Sequence, residues 1–425
     1  MQLPAIIRAL RHRNFRLFII GQFISIVGTW MQSVAQAWLV YRLTGSPLLL
    51  GTIGFAGQIP VFLVAPLGGI VVDRYERRRV LLITQIASMS LAFVLAFLTF
   101  IHLVRVWHIL VLAVLLGVLN AFDNPARQSL LVEMVGKEDL MNAIALNSSM
   151  FNSARLIGPA IAGVLVAAIG EGWCFFANGI SFFAAIVGLL MMRLPTRIAD
   201  SLGSPLERFM EGFRFVRQTR PVRDLLALLG ISGFLLLPFT VLMPIFADRI
   251  LRSGARGLGF LMAATGLGAV LGTLTLARKS AIGGLERWVA ISCAGCGLSL
   301  ILFAFSKHFW LSAGLLIPAG YCMLLQMSSS NTLIQAMIPD RLRGRVMSVY
   351  SMMFMGMPPI GALLEGALAA KIGPQYTVAI CAAIAITAAA VFALHLSKLT
   401  GEANCLIVLR AQQLPKLRSK AKLER

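Results

Sequence analysis

Gly69-Ile70-Val71-Val72-Asp73-Arg74-Tyr75-Glu76-Arg77-Arg78-Arg79 joins two long apolar runs, 47–72 and 80–101, through a loop of four arginines and two carboxylates. Each flanking run is long enough to cross about 30 Å of hydrocarbon as a helix. Basic loops of this kind mark the cytoplasmic face of a membrane protein. Asp73 is the informative residue, an acid placed where the charge rule favours bases.

Runs of the same kind fall near 15–40, 47–72, 80–101, 107–129, 142–169 and 172–193, and again near 223–247, 256–277, 288–306, 308–330, 345–370 and 375–397. The expected fold is therefore an all-α membrane protein with twelve transmembrane spans. Composition agrees. Hydrophobic residues are 58% of the 425 and charged residues 13%, with a mean hydropathy of +0.83. A soluble chain of this length needs charge over most of its surface, whereas lipid-facing helices can be apolar all round.

A net charge of +21 could point to nucleic acid, but its distribution points to membrane lipid. Thirty of the 38 basic residues fall in loops on one side. Seven (Arg42, Arg105, Arg249, Arg252, Arg256, Lys307, Lys371) fall on the other, and Arg155 lies inside a span. This asymmetry places both termini in the cytoplasm and the protein in the inner membrane. The N-terminal run resembles a signal peptide, but Gln22, Gln32 and Gln36 interrupt it and no A-x-A site follows, so it is read as span 1. The six cysteines form no disulfide framework. Cys293 and Cys296 have no second ligand pair and read as packing residues, so neither metal nor cofactor is expected.

Gly117, Gly158, Gly163 and Gly170 recur as Gly320, Gly361, Gly366 and Gly373, all at a spacing of 203. Four matches at one offset fit a parallel duplication of six spans. The division expected is an N-terminal bundle 1–193, a linker 194–222, a C-terminal bundle 223–398 and a basic tail 399–425. In the linker, Ser204-Pro205-Leu206-Glu207 is a capping box. Leu206, Phe209, Phe213 and Val216 then follow at helical spacing opposite Arg208, Glu211, Arg214 and Arg217. This predicts an amphipathic helix on the membrane interface, with a solvated linker as the alternative.

The loop quoted above resembles the signature G-x-x-x-D-R-x-G-R-R of the major facilitator superfamily, matched at Gly69, Asp73, Arg74, Arg77 and Arg78, with Glu76 in place of the second glycine. The resemblance implies that Asp73 caps the N-terminus of span 11 and pairs with Arg77, locking the outward-open state. Asn120-Ala121-Phe122-Asp123-Asn124-Pro125 predicts a broken helix at the end of span 4, with Asp123 as a gate partner of Arg77 or, alternatively, as a substrate or proton group. In span 5, Ala154-Arg155-Leu156-Ile157-Gly158-Pro159-Ala160-Ile161-Ala162-Gly163 resembles the antiporter signature g-x-x-x-G-P-x-x-G-G, which implies export.

An intramembrane charge is costly unless solvated or paired. Arg155, on one stripe with Ser148, Asn152 and Pro159, is thus functional or a buried ion pair, and Glu365 is the choice for a proton-titrating group. Carboxamides concentrate in spans 1, 4, 5 and 10, so these line the path and every third span is scaffold. Gln32, Gln36, Asn120, Asn152, Gln326 and Asn331 are the candidate path residues, with helix–helix hydrogen bonding as the equal alternative for Gln32 and Gln36.

Together with Asn14-Phe15-Arg16-Leu17-Phe18, Gly28-Thr29-Trp30-Met31-Gln32 and Ala35-Gln36-Ala37-Trp38-Leu39-Val40-Tyr41, these motifs resemble the enterobactin-exporter-like, or transmembrane secretion effector, branch. The resemblance implies a monomeric exporter of a small-molecule substrate, a siderophore, drug or other amphipathic compound, exchanged for protons by alternating access. An uptake carrier or uniporter of the same fold is the alternative. The arginine usual midway along span 4 is missing, Leu110 to Asn120 being uncharged. A membrane enzyme is disfavoured because His102 and His108 have no companion acids, and a sensor because no loop is long enough for a soluble domain.

Overall fold

Helix boundaries follow local chemistry. The computed structural model describes residues 5–192, 205–278, 283–339, 342–395 and 401, apart from a few side chains within them, that of Asp73 included. Helix α1, Arg13–Thr44, closes on Gly45 in the left-handed region. The Ser46 hydroxyl then accepts the Leu49 amide at 3.4 Å and Pro47 takes the first turn of α2, Pro47–Arg74, an N-cap and a proline where no amide hydrogen is needed. There follow α3, Arg77–Phe100, α4, Val106–Gly136, and α5, Glu138–Ile169, and α6, Glu171–Met191. After a linker helix, Pro205–Gln218, come α7, Arg220–Ile250, α8, Gly254–Arg278, α9, Leu285–Phe305, α10, Phe309–Met337, α11, Arg343–Ile372, and α12, Pro374–Leu394. Twelve helices among the described residues are long and apolar enough to cross a membrane, so this is a multi-pass membrane protein.

Two spans differ from expectation. No break occurs at Asn120–Pro125: α4 runs through Pro125 and ends at Gly136, whose φ of 68° and ψ of −178° separate it from α5. The Ala121 carbonyl, deprived of its partner amide by Pro125, packs against Gly68 of α2 instead; a tight neighbouring helix keeps the proline turn helical. Conversely, α7 is not one regular helix. It is regular over Arg220–Leu235 and again over Phe239–Ile245, with Pro238 and Pro244 near the interruption, and it ends in a π-helical turn, Phe246–Ile250.

The repeated glycines hold matching places in the two halves. Gly117 of α4 meets the Gly57 carbonyl of α2, and Gly320 of α10 meets Thr265 of α8. Gly158 of α5 meets α1 at Val27 and Trp30, and Gly361 of α11 meets α7 at Phe234 and Pro238. Gly170 and Gly373, with φ of 89° and 85°, make the α5–α6 and α11–α12 corners, a backbone region that side chains other than glycine's rarely adopt. The halves join at the remaining pair: Gly163 of α5 faces Gly259 of α8, and Gly366 of α11 faces Gly51 of α2. The result is two six-helix bundles related by pseudo-symmetry. Helices α3, α6, α9 and α12 pack within their own half and turn side chains such as Phe97, Phe183, Ile291 and Val391 outward.

The linker helix docks on α11. Gly212 lies against the Arg345 carbonyl, Glu211 pairs with the Arg345 guanidinium, and Val216 is buried while Phe213 stays exposed. The predicted apolar stripe is thus split, because its C-terminal part is used against protein; Ser204 and the side chains of Leu206 and Phe209 lie outside the described residues. Cys293 and Cys296 are buried, the Cys293 thiol lying 3.8 Å from the Ala385 carbonyl of α12.

At the α5–α8 crossing, a Cβ on Gly163 would lie 2.8 Å from Gly259 Cα and 2.9 Å from the Arg256 carbonyl. Backbone cannot yield as a side chain can, and overpacking costs about 1–3 kcal/mol. Gly163→Leu is therefore expected to lower the thermal midpoint of the purified protein, whereas Gly314→Ala, inside α10 with nothing within 4 Å of the added Cβ, does not lower it.

Candidate functional site

The glycines that set the helix crossings also place Arg155. Gly158 lets α1 close on α5, which brings Trp30 beside Arg155, and Gly266 of α8 packs on the Arg155 and Leu156 backbone from the other half. The guanidinium carbon stands 5.5 Å from the Trp30 ring centroid, and Nη2 reaches across the halves to the Met323 sulfur of α10 at 3.8 Å. Trp30 in turn packs edge-on against Phe151, 5.9 Å between centroids. Among the described residues no carboxylate forms an ion pair with Arg155.

The predicted carboxamides divide. Asn152 donates to the Ser148 carbonyl at 2.9 Å one turn from Arg155, Asn331 accepts from Gln335 at 3.0 Å, and Gln36 and Asn120 are half-buried. Gln32 and Gln326 are bonded within a bundle. Gln32 is buried and accepts from Asn178 of α6 at 2.7 Å, because Gly28 admits α6 at that level. Gln326 is buried and donates to Ser232 of α7 at 2.7 Å. Both fasten helices within a bundle.

One end of the molecule gathers the basic loops, and there the expected Arg77–Asp123 pair is replaced. Arg77 pairs with Glu133. Asp123 pairs with Arg127 one turn on and accepts from Thr84 at 2.9 Å and Gln85 at 2.8 Å on α3. Continuation of α4 through Pro125 explains the exchange: Glu133 stands ten residues beyond Asp123, about 15 Å along the axis, at the level of the loop. Arg78 donates to the Leu189 and Leu190 carbonyls at 2.7 and 2.8 Å, capping the end of α6, while Arg74 is exposed and Gly69 meets nothing within 4 Å. The Asp73 side chain lies outside the described residues. Asp139, unremarked in the sequence, accepts from Arg8, Arg11 and His12 at 3.1, 2.9 and 2.8 Å and ties the N-terminal 3-10 helix, Ala5–Arg11, to the start of α5.

At the opposite end lies a cross-half contact that sequence reasoning missed. The Tyr41 hydroxyl of α1 donates to Asp248 at 2.7 Å, 207 residues away. Arg249 donates to the Gly45 carbonyl at 3.3 Å, with its guanidinium carbon 5.8 Å from the Tyr41 ring centroid. Both partners sit in the π-helical turn of α7, a geometry enriched at functional sites. The available signal was the Asp248-Arg249 pair ending an apolar run. Arg42 pairs with Glu171 beside it at 2.8 Å. Glu365 is buried in the second bundle, near Cys381 of α12 and one turn from Gly361, with neither carboxylate oxygen hydrogen-bonded.

This arrangement is that of a major facilitator transporter. The fold matches the nucleoside transporter NupG at a TM-score of 0.71 with 14% identity, covering 91% of this chain and 99% of that one. It matches a POT family transporter crystallised with a thioalcohol-conjugated peptide at 0.74 with 13% identity, covering 91% and 97%. The family model for the transmembrane secretion effector matches residues 6–423, and the chain belongs to that family. It is 26% identical over 353 residues to the staphyloferrin A transporter of Staphylococcus aureus, covering 82% of this chain and 88% of that protein. It is 28% identical over 367 residues to the multidrug efflux pump Tap of Mycolicibacterium fortuitum, covering 82% and 88%. With the enterobactin exporter EntS of Shigella boydii it shares 28% over 372 residues, covering 85% and 87%.

Tyr41→Phe keeps the ring beneath Arg249 and deletes the hydrogen bond to Asp248. A hydrogen bond to a charged group contributes about 1.5–3 kcal/mol, so the variant shifts the population toward opening at this end. A cysteine at Val241, which packs on Gly54 across the halves, is expected to react with an impermeant maleimide about tenfold faster in the Tyr41→Phe background. Equal rates would show that the contact does not hold this end closed.

Proposed function

We propose that the chain is a secondary transporter that exports a small organic solute by alternating access in exchange for protons, with its basic end and both termini in the cytoplasm. The observation that carries the reading is the asymmetry of the seam between the halves. Among the described residues, the hydrogen bonds between the halves lie at the end opposite the basic loops, through Tyr41, Asp248 and Arg249, and the halves meet at mid-depth around Arg155. In this reading the end so fastened is the closed one, and the central residues are reached from the basic end, the cytoplasmic side on the charge rule. Relatives named as exporters of enterobactin and as a multidrug efflux pump support outward transport. The antiporter-like motif does so as well: Gly158 lies on α1, and Gly259 of the other half packs on Gly163 and the Pro159 carbonyl, so the motif lies where the bundles must pivot.

Asp73, Arg74, Arg77 and Arg78 act in this reading as the gate of the basic end, with Asp123 bracing α3 on α4 behind it. Glu365 supplies the proton site. An ionised carboxylate without a partner is costly in a protein interior, so Glu365 exchanges its proton when bundle motion admits water, and protonation becomes linked to conformation.

The test is efflux of an ethidium or dihydroxybenzoate load from expressing cells before and after an uncoupler, comparing the native protein with Glu365→Gln, and a reporter fused after Lys398. Proton-gradient-dependent efflux, its loss by an order of magnitude or more in Glu365→Gln, and a cytoplasmic reporter signal are expected. Efflux at full rate after uncoupling would contradict antiport, and a normal variant would remove Glu365 from the coupling.

A further inference from the structure

Among the described residues, few of the donors of Arg155 find an acceptor. A guanidinium carries five N–H donors and stays charged at any physiological pH. The guanidinium carbon stands over the Trp30 ring, 5.5 Å from the centroid, and the one described acceptor is the Met323 sulfur at 3.8 Å, a weak one. A contact with the ring uses no hydrogen-bond acceptor, so the remaining N–H groups of the planar fork are left to take a carboxylate or similar oxyanion, which such a fork binds through two parallel bonds.

Among the described residues no acid pairs with Arg155, and the acids of the spans are engaged or placed elsewhere. Asp123 is held by Arg127, Thr84 and Gln85, and Glu133 by Arg77. Glu171 and Asp248 lie at the end opposite the basic loops, on Arg42 and Tyr41, and Glu365 lies beside Cys381 inside the second bundle. The side chain is half-buried at the crossing of α5 and α8, where an unpaired charge requires water or a counter-ion. Around it stand Trp30, Phe151 and Met323, which offer apolar and aromatic contact.

Resting on the transporter reading above, we infer that Arg155 is the substrate-binding cation and that the solute class is an organic anion with a flat apolar or aromatic body. The anion bridges N–H groups of α5 while its body packs on Trp30 and on Met323 of the other half. Both bundles thereby touch one ligand, as a transporter that alternates around a central site requires.

The experiment uses the purified full-length protein in nanodiscs and three probes, 2-naphthoate, its neutral isostere 2-naphthamide, and the cation tetraphenylphosphonium. Binding is read by calorimetry and by quenching of tryptophan fluorescence, with Trp30→Phe identifying the Trp30 share of the signal. The native protein is expected to bind naphthoate at least about tenfold tighter than naphthamide. Arg155→Gln abolishes that difference and Arg155→Lys retains part of it, each variant being monodisperse with a cooperative melt. A native protein that binds the two naphthyl probes equally, prefers tetraphenylphosphonium or binds no naphthoate at about 5 mM overturns the inference. So does an Arg155→Gln protein that keeps the anion preference, which would leave Arg155 as a packing partner of Trp30. Equilibrium binding does not depend on transport direction or coupling, so failure here leaves proton-driven efflux standing, and failure of efflux leaves this result standing.

Discussion

Close backbone approach at glycine is the constraint on which this molecule depends. Lipid tails are as apolar as leucine, so helices in a bilayer gain little by hiding apolar surface from one another and associate through packing and hydrogen bonds. Gly163 against Gly259 and Gly51 against Gly366 bring the halves together by that means, with no side chain between backbones. Because both pairs arise from one duplicated pattern, the seam has two equivalent crossings. Contacts between smooth glycine faces resist rotation less than interlocked side chains do, which suits surfaces that must pivot.

In the proposed cycle, charge decides which end of the seam is closed. Arg77 pairs with Glu133 and Arg345 with Glu211 within their own sides of the molecule, while Tyr41, Asp248 and Arg249 fasten the opposite end across the halves. Each such contact contributes a few kcal/mol at most. That is a useful size, since a two-state element moves from one form to the other only if few kcal/mol separate them. Arg155 lies between the ends, so a ligand there meets both halves at the level where they cross.

Much of this was legible in the sequence because membrane physics writes in long strokes. Apolar length and loop charge located twelve spans, the glycines at one spacing revealed the duplication, and a charge at Arg155 inside a span stood out unaided. What stayed hidden depended on helix rotation and on pairs far apart in the chain. Gln32 and Gln36 are one turn apart and looked equivalent, yet Gly28 turns Gln32 toward Asn178. Pro125 read as a break, but contact between Ala121 and Gly68 keeps α4 helical as far as Glu133, which changes the partner of Arg77. The Tyr41–Asp248 bond spans 207 residues, and no local pattern announces it.

The central claim is that two bundles rock about the glycine crossings so that one end closes as the other opens. Spin-label distances on a cysteine-free background test it most directly, with one pair at Leu48 and Ile372 across the α2–α11 crossing at the Tyr41 end and a second at Tyr75 and Ser348 at the basic end, all four positions exposed. The account predicts two populations in each distribution, with Tyr41→Phe lengthening the first distance and shortening the second. Distances that stay single-valued, or that lengthen together, would contradict it.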